Sequence, residues 1–258
     1  MTTIAILGLG EAGRVYARGL LAAGAHVCGY DEHRRLGDPD LRQLTTLQEA
    51  LHGADVVLSL VGGASASAVA AQALPFAGRG AVYADLNTAS PQVKGEIATE
   101  AARMGVAMAD VAVLAPVQRI GIRTGLLASG AGAPALADQL RPLGVPIVVL
   151  DAAAGEAARL KLLRSVFMKG LAALMIEGVG AARAIGAEQW LLDQMAGELG
   201  PDGRDLVDRL VQGTYQHAVR REQEVRDALG VIEATGRPAD MTRATLSWFE
   251  RINGERDA

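Results

Sequence analysis

Short apolar runs alternate with Ala-rich amphipathic stretches through the first 150 residues. The runs "TIAILG" (3–8), "HVCGYD" (26–31), "DVVLSLV" (55–61), "AVYADLN" (81–87), "VAMADVAVL" (106–114), "GLLASG" (125–130) and "PIVVLD" (146–151) predict strands. Several are continuous rather than alternating, the pattern of strands buried on both faces. Between them, "GRVYARGLLAAG", "SAVAAQAL", "PQVKGEIATEAARMG" and "APALADQLRPLG" predict helices, with Gly24 and Gly105 placed to end two of them. Strand–helix alternation of this kind predicts a parallel sheet covered on both faces.

After Asp151 the strand signals stop. The stretch "GEAARLKLLRSVFMKGLAALMIEGVGAARAIG" predicts one helix of about thirty residues, long enough at ~1.5 Å per residue to link two domains. Further helices are expected near 187–198, 202–229 and 239–253. The expected organisation is an α/β domain over 1–150, a doubly wound parallel sheet, followed by an all-α domain over 151–258 for substrate binding and dimerisation.

Composition refines this picture. Half of the 258 residues are hydrophobic but only 3% are aromatic, so helices and sheet must pack through small side chains. A net charge of −4 opposes general nucleic-acid binding, which needs a basic surface. A lone cysteine, Cys28, excludes a disulfide framework and favours the cytoplasm. With the glycine-rich stretch beginning within ten residues of Met1, no secretory leader is expected. Residues 56–78 carry no charge, yet their Gly, Ala and Ser content and Pro75 favour a strand followed by a helix over a membrane span.

The chemistry begins at "ILGLGEAGRVYARGLLAAGAHVCGYD", where Gly8, Gly10 and Gly13 follow a strand and open a helix. In a dinucleotide fingerprint the first glycine permits the turn, the second lets backbone approach a diphosphate, and the third lets helix and sheet pack closely. Gly8, Leu9, Gly10, Glu11, Ala12 and Gly13 form the candidate cradle at the positive end of the helix dipole, with the Glu11 side chain turned to water. Asp31, 18 residues beyond Gly13, suits the adenosine ribose hydroxyls and favours NAD, whereas Arg34 or Arg35 in the following "EHRR" suits the 2′-phosphate of NADP. This arrangement predicts a Rossmann-type fold with NAD, or NADP, as cofactor.

These residues resemble the β-hydroxyacid dehydrogenase and 6-phosphogluconate dehydrogenase superfamily. The likeness continues in "DLNTASP" (85–91), similar to that family's Asp-x-Ser-Thr-x-x-Pro segment beside the nicotinamide. It extends to "GEAARLKLLRSVFMKG" (155–170), similar to its catalytic helix, with Gly155 six residues before Lys161 and Gly170 nine after. The last 70 residues resemble a divergent branch with a distinct helical C-terminal domain, in "YQHAVRREQEV" and "GRPADM". The resemblance implies Lys161 as acid–base residue, a role open to a lysine whose pKa burial and nearby cations lower. Leu160, Leu162 and Leu163 are candidates for that desolvation.

Two departures bear on substrate. Where the family carries Asn or His three and four positions after the lysine, this chain has Arg164 and Ser165. Ser165 is a candidate to orient the reacting oxygen, and Arg164 a candidate anion contact. The family's Asp-x-Pro-Val-Ser-Gly-Gly carboxylate cradle is replaced by "DVAVLAP" (110–116), in which Leu114 offers no side-chain donor and Pro116 no N–H. Substrate contacts are therefore assigned to Asn87, Leu114, Arg164 and Lys169. Val61, Gly62 and Gly63, after the third expected strand, and Asn87 and Thr88, after the fourth, lie where ligands meet the carboxyl ends of strands.

His217, Arg220, Arg221 and Glu224 recur at helical spacing and suit either a solvated helix face or a pocket wall. No His/Cys metal spacing is present. Apolar residues around most of the long helix imply burial on two sides, hence a homodimer. The expected function is hydride transfer between NAD(P) and a small hydroxylated, anionic molecule. The alternatives are C=N reduction and dinucleotide binding without turnover.

Overall fold

The computed structural model describes residues 2–257, and the chain divides into two compact units, Met1–Lys161 and Leu162–Ala258. The boundary lies inside a helix, eleven residues beyond the 150/151 division expected from the loss of strand pattern.

In the first unit eight strands form one sheet: β1 (Thr3–Leu7), β2 (His26–Tyr30), β3 (Arg42–Gln43), β4 (Val56–Ser59), β5 (Val82–Asp85), β6 (Ala107–Val113), β7 (Leu126–Ser129) and β8 (Ile147–Val149). Their order is β3-β2-β1-β4-β5-β6-β7-β8. From β1 the chain first adds strands on one side and then crosses to β4 on the other, so the topological switch lies between β1 and β4.

One face of the sheet is covered by α1 (Glu11–Ala22) and α6 (Ala133–Leu140), through Tyr16, Ala17, Leu20, Leu136 and Leu140. The other is covered by α2 (Leu47–Leu51), α3 (Ala66–Ala73) and α4 (Pro91–Arg103), through Leu51, Ala66, Ala70, Ala73 and Ile97. Alanine at the contact positions lets these helices sit close to the strands, as the poverty in aromatics requires.

The structure departs from the expected pattern at several places. β7 runs antiparallel to β6, with Asp110 opposite Ser129, so the sheet is not wholly parallel. The β6–β7 connection holds only the four-residue α5 (Val117–Ile120) and a 3-10 turn, not the full helix of a parallel crossover. β3 and α2 have no counterpart among the expected elements. β3 is two polar residues long, but α2 carries a visible start signal: Thr46 Oγ1 accepts from the Glu49 amide while Glu49 accepts from the Thr46 hydroxyl, a capping box. The charge-free segment 56–78 resolves into β4, α3 and 3-10 turns at 63–65 and 74–76, as a strand-then-helix reading requires.

Helix α7 (Glu156–Ala184) begins in the first unit and continues into the second, followed by α8 (Glu188–Glu198), α9 (Gly203–Gln216), α10 (Ala218–Glu233) and α11 (Asp240–Asp257). The single helix expected over 202–229 is thus two, interrupted at His217, whose φ of −124° and ψ of 27° leave the helical region. Just before the break Thr214 turns its hydroxyl back on the Leu210 carbonyl at 2.5 Å, a bond that bends helices, and accepts from the Arg221 guanidinium. Small apolar clusters hold this unit: Ala172, Met175, Val207 and Leu210 in one, Val225, Leu246 and Phe249 in another. By length and composition α7 also suits a membrane span, although 39% of its apolar window is buried within the protein.

Candidate active site at the switch between β1 and β4

The glycine-rich turn is held from inside. The Gly8 amide donates to the Tyr30 carbonyl at 2.9 Å, and a Cβ on Gly8, whose φ is +89°, would lie 2.6 Å from the Leu60 carbonyl. A Cβ on Gly13 would lie 1.9 Å from the Gly8 carbonyl, so only glycine lets α1 start this close to the turn. Gly10 differs, because a Cβ there would meet nothing within 4 Å. Its freedom from local crowding fits space kept for a ligand, and as N-cap it supplies no side chain to the first-turn amides. The fingerprint positions are therefore unequal: Gly8 and Gly13 are demanded by the fold and Gly10 is not.

Asp31 organises this loop. Its Oδ2 accepts from the Leu9 amide at 2.7 Å and its Oδ1 from the His33 and Arg34 amides, each at 2.9 Å. The Leu9 amide is thereby committed to Asp31, and its side chain is buried, so Leu9 drops out of the phosphate cradle. Gly10 with the amides of Glu11 and Ala12 remains. Glu11 is exposed, as expected. Arg35 folds back to the Asp31 carbonyl at 2.6 Å, whereas Arg34 keeps an exposed side chain beside Asp31.

The ends of β4 and β5 are tied together by Asn87. Its carboxamide accepts from the Gly62 amide at 2.8 Å and donates to Ser59 at 3.0 Å and Asp85 at 2.7 Å. Asn87 is buried and directed into the protein; the contact role expected for it with nicotinamide or substrate gives way to holding the Gly62 loop. Gly63 is likewise structural, since a Cβ there would stand 2.0 Å from the Thr88 carbonyl. Val61 is half-buried at the same strand end, and Gly62 and Thr88 are exposed.

Lys161 lies six residues into α7, and its Nζ reaches Thr88 Oγ1 at 3.2 Å. Fold and fingerprint thus bring together the Gly10 turn, Asp31, the Gly62 loop and Thr88 at the carboxyl ends of β1, β2, β4 and β5, with Lys161 against the last of these. Of the leucines expected to desolvate Lys161, Leu162 is buried, whereas Leu160 and Leu163 are exposed. Leu114, at the end of β6, is half-buried and its amide bonds the Gly125 carbonyl at 3.0 Å.

In the second unit Ser165 is buried on the helix face of Lys161, one turn on. Lys169 Nζ lies 3.5 Å from Ser165 Oγ and pairs with Glu224 at 2.5 Å. Burial, partly offset by Glu224, holds the Lys169 pKa below the ordinary lysine value. This pairing makes Lys169 a structural cation more than an anion receptor, and it turns Glu224 inward from the solvated face. Arg164 is exposed. His217 leaves the helical series altogether. Among the described residues no group of His, Cys, Asp and Glu could hold a metal ion.

Residues 3–142 match the family described as the NAD binding domain of 6-phosphogluconate dehydrogenase. The chain belongs to this family. Residues 182–252 match a domain of unknown function, DUF1932. A conserved hypothetical protein from Sinorhizobium meliloti 1021 is 34% identical, with 97% of this chain and 88% of that one covered and a TM-score of 0.75. The conserved protein MTH1747, described as structurally similar to 3-hydroxyacid dehydrogenases, is 25% identical over 98% of each chain with a TM-score of 0.74. A 28.5 kDa protein encoded in the 7S RNA 5′ region of Methanothermus fervidus is 29% identical over 205 residues, 80% of this chain and 78% of that protein. This 6-phosphogluconate dehydrogenase family member therefore carries an NAD(P)-binding Rossmann domain followed by a helical C-terminal region, as its motifs implied.

Proposed function

We propose that this family member is an NAD(P)-dependent oxidoreductase that transfers a hydride between nicotinamide and a small hydroxylated, anionic substrate. The observation that carries the reading is the approach of Lys161 Nζ to Thr88 Oγ1 at 3.2 Å, beside the strand ends where a coenzyme bound at Gly10 would extend its reactive ring. Bound nicotinamide would supply the hydride acceptor or donor. Lys161 takes the hydroxyl proton in oxidation and returns it in reduction. Thr88 fixes the direction of the ammonium, and Asn87 keeps the Gly62 loop open toward the ring. Ser165 orients the reacting oxygen, and Arg164 meets the substrate's negative charge, since Lys169 is already paired. Asp31 favours NAD, because a carboxylate at this position repels a 2′-phosphate.

The lost carboxylate cradle favours a second reading, reduction of a C=N bond, because Leu114 and Pro116 offer no side-chain or backbone donor to an acid. Along α7, exposed Leu163, Phe167 and Leu174 recur at helical spacing, and we assign them to contact with a second copy of the chain. The deciding experiment follows reduced-coenzyme absorbance with NADH and NADPH against β-hydroxyacids, their ketoacids and cyclic imines, in wild type and Lys161→Ala. Turnover of an acid pair that is lost in the variant supports the first reading, and turnover of imines alone supports the second. Coenzyme binding with no turnover leaves a dinucleotide-binding protein.

A further inference from the structure

On a solvent-facing helix a lysine normally reaches water. Lys94, in the first turns of α4, is only 1% exposed, and both carboxylates beside it are fully buried. Its Nζ donates to the Asp85 carbonyl at 2.7 Å and lies 3.1 Å from Asp110 Oδ1 and 3.4 Å from Asp85 Oδ1. An ion cluster buried this deeply costs desolvation that its own attraction does not reliably return. Two carboxylates sharing one cation make a site that matters for what it holds.

Each carboxylate holds a different part of the reacting centre. Asp85 Oδ1 accepts from the amide of Asn87 at 2.8 Å and from its carboxamide at 2.7 Å, fixing the strand end that precedes Thr88. Asp110 Oδ2 accepts from the amides of Gly155 and Ala158, each at 3.0 Å, and from Ser129 Oγ at 3.2 Å. Ser129 Oγ in turn accepts from the Ala157 amide at 3.1 Å. Two amides at the start of α7 are thereby bound to one buried anion and a third is bound to it through Ser129, an arrangement that also suits the positive end of the helix dipole. The approach to α7 presses on the helix that carries Lys94: Gly155 has φ +104°, and a Cβ there would lie 2.7 Å from the Pro91 carbonyl.

We propose that Lys94 is a positioning residue for the reaction: with Asp85 and Asp110 it locks the end of β5 and the start of α7 in register, which sets Lys161 against Thr88. The proposal rests on the hydride-transfer reading for its purpose, but the clamp is a property of the first unit and is measurable without substrate. A rigid helix transmits a shift of its first turn directly to Lys161, and misplacement of a reacting group by an ångström costs about a hundredfold in rate.

The test compares Lys94→Met, the double variant Lys94→Met/Asp85→Asn, and Ser129→Ala, by hydrogen exchange across 155–161 in coenzyme-free protein and by turnover in its presence. Lys94→Met removes the cation and leaves two buried carboxylates facing one another without it. Amides 155–158 should then exchange at least about tenfold faster while the strands of the sheet hold their protection. kcat should fall about a hundredfold with little change in coenzyme affinity. The double variant restores one net negative charge and should recover both readouts. Ser129→Ala keeps every charge and should release the Ala157 amide alone, which keeps the proposal testable if Lys94→Met fails to fold. Unchanged exchange at 155–158 in Lys94→Met, or a uniform loss across the unit that Asp85→Asn does not reverse, would overturn it. A wild type inactive on every substrate would defeat the hydride-transfer reading instead, since the exchange result does not depend on turnover.

Discussion

Lys161 Nζ lies 3.2 Å from Thr88 Oγ1, two groups 73 residues apart in sequence that α7 and β5 bring face to face. The proposed proton transfer asks for an ammonium held in place, and the Thr88 hydroxyl helps to hold it. Lys161→Ala should lower kcat/KM by roughly 10²–10⁴-fold with coenzyme affinity nearly unchanged. Lys161→Arg should fail to rescue, since a guanidinium does not give up its proton near neutral pH. Steady-state kinetics alongside a fluorescence titration with NADH checks both, and an active Lys161→Ala would remove the lysine from the mechanism.

The two kinds of glycine in the fingerprint should separate experimentally. Gly13→Ala forces a Cβ to 1.9 Å from the Gly8 carbonyl, so stability should fall by about 2 kcal/mol, seen as roughly 4–8 °C in Tm. Gly10→Ala meets nothing within 4 Å and should fold normally, yet weaken coenzyme binding more than about tenfold by filling the space for the diphosphate. Calorimetry with coenzyme titration distinguishes the two.

Asp31 accepts three backbone amides, so its carboxylate shapes the loop, and the proposed function also sets it toward the coenzyme ribose. Asp31→Asn replaces an acceptor by a donor opposite the Leu9 amide and should weaken NADH binding roughly tenfold. Arg34→Ala should leave NADH binding intact. A selective loss of NADPH binding in Arg34→Ala would move coenzyme choice from Asp31 to the arginine run.

Burial raises the pKa of both Tyr16 and Tyr83, and the Asp85 charge adds to the effect at Tyr83. A phenol with its folded pKa above the unfolded value contributes stability that is full below about pH 10 and is lost as pH rises beyond it. The protein should therefore unfold cooperatively in alkali, with tyrosinate absorbance from these two rings appearing only at the unfolding step. Tyr16→Phe should reduce both that amplitude and the steepness of the pH dependence, read by circular dichroism and absorbance together.

Local pattern carried much of this protein. The apolar run before Gly8, the three-glycine spacing and the 29-residue helix around Lys161 are written in consecutive residues, because strand and helix periods and turn sterics act over a few positions. The capping box at Thr46 and Glu49 is equally local, but α2 is too short for periodicity to reveal it and is absent from the expected elements.

What tertiary structure decided lies between residues far apart. The antiparallel pairing of β7 depends on how the chain returns after Val113, and the break at His217 accompanies a hydroxyl bond and an arginine contact rather than any helix breaker. The inward turn of Asn87 arises from Gly62, 25 residues away, and the burial of Lys94 from Asp110, on a neighbouring strand. A lysine on an amphipathic helix looks the same in sequence whether it faces water or two carboxylates. Local sterics and hydrophobic period write the elements and the fingerprint into the chain, while the partners of buried polar groups exist only after the sheet has assembled.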